Sequence, residues 1–241
     1  MLTWVEPHQP LPPATRARRE PNGLLAAGRD LSAPRLLEAY GKGIFPWYSA
    51  GQPVLWWSPD PRMVVFTAEF SPSRSLRKTL RKIARPGGWT ISLDRDFRAV
   101  MQACASHPRP GQDGTWITPA IVDAYVDLHR MGHAHSFEVR ADGALIAGLY
   151  GVSIGRMFFG ESMFTRVPDG SKCAYAALVA TLRSLDMPMI DCQQSTSHLA
   201  SLGGRDITRV EFLDRIVDLA RRPAPDWRRL TVEWPLGSPD V

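Results

Sequence analysis

The sequence lacks long apolar runs and a secretory leader, and it contains few cysteines. No stretch reaches the roughly 18 consecutive apolar residues that a membrane-spanning helix requires. The first part of the chain shows neither an apolar leader core nor a small-residue cleavage site, so we expect a cytoplasmic protein without a membrane partner. Cys104, Cys173 and Cys192 are widely spaced, which favours reduced thiols and shows no zinc-type pattern.

The histidines do not form a metal-binding pattern either. His129 and His133 stand at helical i,i+4 spacing, but Gly132 interrupts the helix between them. No carboxylate follows at metal-ligand spacing. We therefore expect His129, His133 and His135 to be structural residues, and we expect no metal site.

What the sequence does contain is a modest basic excess. Its 241 residues include 29 lysines and arginines against 24 acidic residues, which gives a net charge of +5 and a pI of about 9.4. Such an excess suggests a polyanionic partner without proving one. The hydrophobic and charged fractions are otherwise those of an ordinary globular protein, long enough for one large or two smaller domains.

The basic residues are concentrated in a helix predicted from Ser73 to Arg85. Leu76, Leu80 and Ile83 fall at i, i+4 and i+7 and form one apolar stripe. Cations without a compensating acid occupy the opposite face: Arg74, Arg77, Lys78, Arg81, Lys82 and Arg85. Because like charges at i,i+4 repel each other, we interpret this basic face as a phosphate-binding surface. A merely solvated face is the alternative.

Three polar positions in apolar strands are candidate catalytic residues. Asp191 and Gln193 flank Cys192 in a predicted strand, so strand alternation places the carboxylate and the amide on one face and the thiol on the other. Such a pair can orient an incoming amine. The structural alternative is a capped strand end, in which the Asp side chain is bonded to the backbone. Glu161 lies in another apolar strand, where burial of an unpaired acid costs free energy. We therefore expect Glu161 either to pair with a cation or to have a functional role. A glycosidase-type pair of Glu161 with Asp191 is the weaker interpretation.

The remaining pattern predicts an α+β fold in two parts. The chain up to residue 88 looks small and irregular, whereas helices alternate with strands after it, including a hairpin at Asp142-Gly143. We expect Asp94 to cap the helix that follows it. We therefore predict a small N-terminal domain over residues 1–88, which carries the basic helix, and a catalytic domain over residues 89–241.

A series of motifs runs along the chain from about residue 20 to residue 205. They are Glu20-Pro-Asn-Gly-Leu-Leu-Ala26, Gly43-Ile-Phe-Pro-Trp47, Trp56-Trp-Ser-Pro-Asp-Pro-Arg62, Gly114-Thr-Trp-Ile-Thr118, Gly132-His-Ala-His-Ser136, Tyr150-Gly-Val152, Gly160-Glu-Ser-Met-Phe164, Ser171-Lys172, Ile190-Asp-Cys-Gln193 and His198-Leu-Ala-Ser-Leu-Gly203. In this order they resemble the leucyl/phenylalanyl-tRNA–protein transferase family, and the Trp-containing strings are the most specific.

The resemblance implies a cytosolic bacterial enzyme of an N-terminal degradation pathway. Members move Leu or Phe, and Met less well, from aminoacyl-tRNA to proteins that begin with Arg or Lys, which marks those proteins for degradation. The resemblance also implies a family-specific N-terminal domain and an acetyltransferase-like (GNAT-type) C-terminal domain. It implies no metal or coenzyme, and we expect a monomer.

The resemblance also assigns site residues. Glu161, Asp191 and Gln193 map to the polar catalytic centre, and the basic helix maps to the tRNA contact. The amino-acid pocket maps to Trp47, Trp116, Leu149, Phe158, Met163, Thr165, Leu182 and Ile190. Other members carry Met, Ser and an aromatic residue in place of Leu149, Thr165 and Leu182, which leaves the preference between Leu and Phe open.

Two other function classes remain to be separated from this one. A coenzyme A-dependent acetyltransferase needs a glycine-rich pyrophosphate loop at a helix start, but Pro168-Asp169-Gly170 offers one glycine and an acid. A non-catalytic tRNA-binding protein would bind charged tRNA without consuming it. Within the transferase interpretation, we expect Asp191 to orient Gln193, and we expect no acyl-enzyme on Cys192.

Overall fold

The computed structural model describes residues 1–107 and 115–230, so Gly114 of one motif lies outside the described residues. Between the described ends the chain forms two β-sheets with helices packed around them. The strands are Thr3–Val5 (β1), Leu24–Gly28 (β2), Phe45–Pro46 (β3), Val54–Trp57 (β4), Arg62–Phe66 (β5), Thr90–Leu93 (β6), Ala134–Ala141 (β7), Ala144–Ile154 (β8), Met157–Thr165 (β9), Met189–Gln193 (β10) and Arg205–Ile207 (β11). The helices are Ala33–Gly41 (α1), Arg74–Ile83 (α2), Phe97–Ser106 (α3), Pro119–Arg130 (α4), Gly170–Ser184 (α5), Ser197–Ser201 (α6) and Arg209–Leu219 (α7).

The two sheets differ in size and in strand origin. Four N-terminal strands form a small sheet in the order β1-β2-β4-β3, and the other strands form a seven-stranded sheet in the order β11-β5-β10-β9-β8-β7-β6. Most pairs in the large sheet are antiparallel, whereas β9 and β10 run parallel. The predicted α+β class is confirmed.

The helices follow their apolar stripes and their N-caps. In α2 the side chain of Ser73 accepts a hydrogen bond from the Leu76 amide, and Leu76, Leu80 and Ile83 are buried as predicted. In α4 the side chain of Thr118 accepts one from the Ile121 amide. Of the described part of the chain, no helix is both long and apolar enough to cross a membrane.

The prediction for Asp94 is wrong. The residue that caps α3 is Asp96, whose side chain accepts a hydrogen bond from the Ala99 amide. Asp94 adopts φ 56° in the turn after β6, and its carboxylate accepts from the Ser136 amide and contacts His135. A left-handed turn residue of this kind belongs to the loop, and Asp tolerates it because its short side chain bonds locally.

The large sheet contains a strand from the N-terminal part of the chain. Strand β5 lies between β10 and β11, and helix α2 contacts α5. The predicted division into residues 1–88 and 89–241 therefore crosses this sheet, and it stays a prediction. The arrangement brings residue 62 and residue 191 into one layer, which matters for the site below.

Candidate active site

A cavity of about 820 Å³ opens between β8, β9, α5, β10 and α6. Among the predicted residues, its wall includes Leu149, Met163, Thr165 and Ile190 from the amino-acid pocket and Glu161 and Gln193 from the polar centre. Leu178 of α5 adds a further apolar side chain. The wall thus has an apolar part, to which Leu149, Met163, Leu178 and Ile190 contribute, and many polar side chains beside it.

Four other predicted pocket residues do not line this cavity. Phe158 and Leu182 are fully buried in the core beside it. Trp47 is 36% exposed and packs edge-on against Trp57 with ring centroids 5.5 Å apart. Trp116 is half-buried and packs against a core cluster that includes Ile117 and Ile121. These residues support the surrounding structure in this conformation and do not touch the cavity.

Glu161 is held in the cavity wall by two tyrosines. The Tyr40 hydroxyl donates to Oε1 at 2.7 Å, and the Tyr125 hydroxyl donates to Oε2 at 3.3 Å. The two hydroxyl oxygens also lie in close contact with each other, and both tyrosines are fully buried. Burial raises the pKa of the Glu161 carboxyl to about 8, against the opposing effect of the tyrosine hydrogen bonds.

Asp191 lies behind the wall and forms an ion pair with Arg62. The guanidinium binds the carboxylate in a two-pronged geometry, with Nε–Oδ1 at 2.7 Å and Nη2–Oδ2 at 2.6 Å. Both side chains have 0% exposure. The Arg62 guanidinium also lies over the rings of Phe45 and Phe212, at 4.9 and 4.4 Å from their centroids. Asp191 is therefore enclosed by protein and does not border the cavity.

The predicted shared face of Asp191 and Gln193 is wrong. A register shift interrupts β10 between these residues, and Gln193 adopts φ 58°. Such a bulge cancels the alternation of side chains, so Cys192 and Gln193 both reach the cavity while Asp191 does not. Asp191 instead holds the bulge, because its Oδ1 accepts a hydrogen bond from the Gln193 amide at 3.0 Å.

Gln193 and Cys192 differ in what they offer a substrate. The Gln193 side-chain nitrogen Nε2 is buried in the cavity wall and has no hydrogen-bond partner among the described residues, so its donor capacity is unused. Cys192 is buried, and burial together with the Asp191 charge raises the pKa of its thiol far above its usual value. The thiol stays protonated at neutral pH, which argues against a nucleophilic role although it borders the cavity.

Sequence reasoning missed the residues that hold the centre in place. Tyr40, Tyr125 and Arg62 come from α1, α4 and β5, and no local pattern connects them with Glu161 or Asp191. Arg62 is the last residue of the Trp-rich motif that begins at Trp56, and this position was the available sequence signal for it. His198 of α6 also lines the cavity, and burial with the nearby Lys172 lowers the pKa of its imidazole.

Two of the three predicted structural histidines meet Asp94 in a small cluster. His135 Nδ1 lies 2.7 Å from Asp94 Oδ2, and His129 Nδ1 lies 2.8 Å from the Ala134 carbonyl oxygen. The rings stack on Trp227 and Phe97, respectively. Candidate ligand atoms of the three residues lie within 4.8 Å of one another, yet both Nδ1 atoms already have oxygen partners. The absence of a metal site stays a prediction.

The basic face of α2 is exposed from Arg74 to Lys82, whereas Arg85, predicted to belong to the helix, lies exposed beyond its end at Ile83. Helix α2 is joined to the start of α5, because Thr79 Oγ1 donates to Asp169 Oδ2 at 3.1 Å. The same carboxylate binds Lys172 Nζ at 3.0 Å, and neighbouring Ser171 lines the cavity. This contact joins α2 to the helix whose first turn borders the cavity.

The family models and the relatives by sequence agree on one family. The family model described as leucyl/phenylalanyl-tRNA protein transferase matches residues 64–217, and that of its N-terminal domain matches residues 29–60. A leucyl/phenylalanyl-tRNA–protein transferase of Paraburkholderia phytofirmans is 57% identical over 231 residues, covering 95% of this chain and 94% of that protein. One of Methylibium petroleiphilum is 56% identical over 239 residues, covering 97% and 90%. Among solved structures, a GCN5-related N-acetyltransferase of Kribbella flavida aligns with a TM-score of 0.31 and 13% identity, covering 71% of this chain and 59% of that one.

Proposed function

The chain belongs to the leucyl/phenylalanyl-tRNA–protein transferase family, and on this premise we propose that it transfers Leu or Phe, and Met less well, from aminoacyl-tRNA to proteins that begin with Arg or Lys. One observation carries the proposal: the family match over residues 64–217 includes every residue that lines the cavity. The transfer marks the acceptor for degradation by the N-degron pathway. We further propose a cytoplasmic monomer.

The donor side chain occupies the apolar part of the cavity in this proposal. Leu149, Met163, Leu178 and Ile190 supply a wall without charge, which suits Leu, Phe and Met. A pocket of this kind separates such side chains by only about 1–3 kcal/mol, whereas a charged side chain would lose its hydration there. The exposed face of α2 holds the phosphates of the acceptor stem.

The chemistry requires alignment more than activation. The aminoacyl ester of tRNA is already reactive, so holding a peptide amine against its carbonyl carbon supplies much of the rate enhancement. The free amide nitrogen of Gln193 donates to the ester carbonyl oxygen, where negative charge develops. Asp191 is a positioning residue, because it acts through the Gln193 backbone and the bulge.

The N-terminus of α5 does not favour the acetyltransferase alternative. Asp169 is the N-cap residue of this helix, at the position where a coenzyme A pyrophosphate would need free backbone amides and positive charge. Its pairing with Lys172 and Thr79 also occupies the nearest donors. A coenzyme site is therefore not favoured at this position.

The testing experiment is incubation of the protein with radiolabelled leucyl-tRNA and a peptide that begins with Arg. We expect the label in the peptide, bound through an amide to its α-amino group, and none in an N-acetylated control peptide. Binding of leucyl-tRNA without transfer would indicate a tRNA-binding protein. Acetylation of the peptide from acetyl-coenzyme A would indicate an acetyltransferase.

A further inference from the structure

The cavity contains one carboxylate that a substrate can reach. Of the described residues that line it, Glu161 alone carries a carboxyl group. Asp191, the other acid of the predicted centre, is fully buried and has both oxygens engaged by Arg62. A proton acceptor must lie within hydrogen-bond reach of the proton it removes, and Asp191 does not meet this requirement.

We propose that Glu161, rather than Asp191, is the general base that takes the proton from the attacking amine. This inference rests on the proposed function. Each oxygen of Glu161 accepts one tyrosine hydroxyl, from Tyr40 and from Tyr125. A carboxylate offers about four lone-pair sites, so acceptor capacity remains for a group that enters the cavity.

The surroundings of Glu161 match its basicity to the amine. Tyr40 of α1 and Tyr125 of α4 donate to it, Asp191 of β10 faces it as a negative charge, and Arg62 of β5 as a positive one. Tyr150 of β8 also lines the same cavity. Their net effect with burial leaves the Glu161 pKa at about 8. A free α-amino group titrates near pH 7.7–8.0, so the neutral amine and the Glu161 carboxylate form over the same pH range.

The step balances with Glu161 as the only proton carrier. The neutral amine nitrogen attacks the ester carbonyl carbon, forming the C–N bond, and one of its protons passes to the Glu161 carboxylate. The bond between the carbonyl carbon and the ribose oxygen of the tRNA then breaks. The departing ribose oxygen takes the proton from Glu161, which returns as a carboxylate while the amide product and uncharged tRNA leave.

The first test removes the base without removing its shape. Glu161→Gln should lower the single-turnover transfer rate by about 10²–10⁴-fold, the usual contribution of a general base, with little change in affinity for phenylalanyl-tRNA. The matched control is Glu69→Gln, an exposed glutamate that pairs with Arg205 on the surface, and it should keep the wild-type rate. A Glu161→Gln variant that transfers at the wild-type rate would overturn the proposal.

The second test separates a base from an anchor for a cationic group. In Glu161→Ala, a small carboxylate such as formate can occupy the vacated space and accept the proton. We expect formate to restore transfer in a concentration-dependent way and neutral formamide not to restore it. Equal recovery with both additives, or recovery with neither, would mean that Glu161 only holds a substrate in place.

The third test follows the protonation of Glu161 through the pH dependence of the transfer rate. The Tyr125 hydrogen bond lowers the Glu161 pKa, so Tyr125→Phe should raise it further. The single-turnover rate rises with pH as the carboxylate forms, and its midpoint should move from about 8 in the wild type to a higher pH in the variant. The substrate amine is the same in both, so it cannot produce the shift. A uniformly lower rate with an unmoved midpoint would contradict the proposal.

These outcomes are distinguishable from a failure of the proposed function. If the wild-type protein transfers no amino acid to the Arg-starting peptide, the proposed function fails. If the wild type transfers but the glutamate and tyrosine variants keep its rate and pH midpoint, only the assignment of the base fails.

Discussion

The side chain of Asp191 shows how a buried ion pair can serve a site that it does not enter. Its carboxylate balances the Arg62 charge and fixes the Gln193 amide, so it couples the core of the large sheet to the cavity wall. Breaking such a pair leaves an uncompensated buried charge, which is more costly than never having the pair at all.

At this scale the first prediction concerns Asp191→Ala. Because Arg62 is left buried without its counterion, we expect the free energy of unfolding to fall by about 3–5 kcal/mol in denaturant titration. The transfer rate of the folded fraction should also fall, since the bulge that carries Gln193 loses its hydrogen bond. Unchanged stability would contradict the pairing with Arg62.

The second residue-scale prediction concerns Gln193 and Cys192. Gln193→Ala should lower kcat with little change in aminoacyl-tRNA affinity, because its amide acts on charge that develops in the transition state. Cys192→Ala is the neighbouring control. It should retain most activity, and mass spectrometry should find no leucyl-enzyme in the wild type. An isolable leucyl-enzyme that Cys192→Ala abolishes would require a different mechanism.

A double variant adds information on how the two polar residues act. Since Asp191 works through Gln193, the Asp191→Ala/Gln193→Ala enzyme should lose far less activity than the product of the two single losses. Single-turnover rates of the four proteins complete the cycle. Fully multiplicative losses would show that the residues act independently.

Helix α2 has an exposed basic face that does not contribute to the packing of the core. Three buried apolar residues attach the helix to the core, and the cations lie on the opposite side. Replacing Arg77, Lys78, Arg81 and Lys82 by Gln should weaken tRNA binding and flatten its salt dependence. Each lost phosphate contact removes roughly 0.7–0.9 from the slope of log affinity against log salt.

A charge-matched control distinguishes this surface from general electrostatics. The variant Arg130→Gln, Arg215→Gln, Arg221→Gln and Arg222→Gln loses the same charge from exposed positions elsewhere. Fluorescence titration of labelled tRNA at several salt concentrations should leave this variant close to the wild type. Equal weakening in both variants would reduce the α2 face to one part of a diffuse field.

The elements also show where sequence patterns were sufficient. The apolar stripe of α2 and the Asp142-Gly143 hairpin are local signals, and the structure confirms them. Strand β5 was not predicted, because a short strand that is buried over four of its five residues shows no alternation of apolar and polar side chains. The bulge in β10 was not predicted, because a register shift depends on the pairing with the neighbouring strand, and the local sequence pattern contains no information on that pairing.

Across the whole molecule, the members of the site could be predicted only in part, and their geometry could not be predicted. Glu161 and Gln193 were identified and do line the cavity, whereas Asp191 does not. The pairing of residues 62 and 191 joins β5 to β10 across the chain, and the tyrosines that hold Glu161 come from helices α1 and α4. Contacts this distant in sequence arise only when the sheet and helices assemble.

The most direct measurement of the central claim is single-turnover transfer from four donors, leucyl-, phenylalanyl-, methionyl- and aspartyl-tRNA, to one Arg-starting peptide. The apolar cavity predicts transfer of the first three, with rates that differ by no more than about 200-fold, and almost none from aspartyl-tRNA. Comparable transfer from aspartyl-tRNA, or no transfer from any donor, would contradict the account.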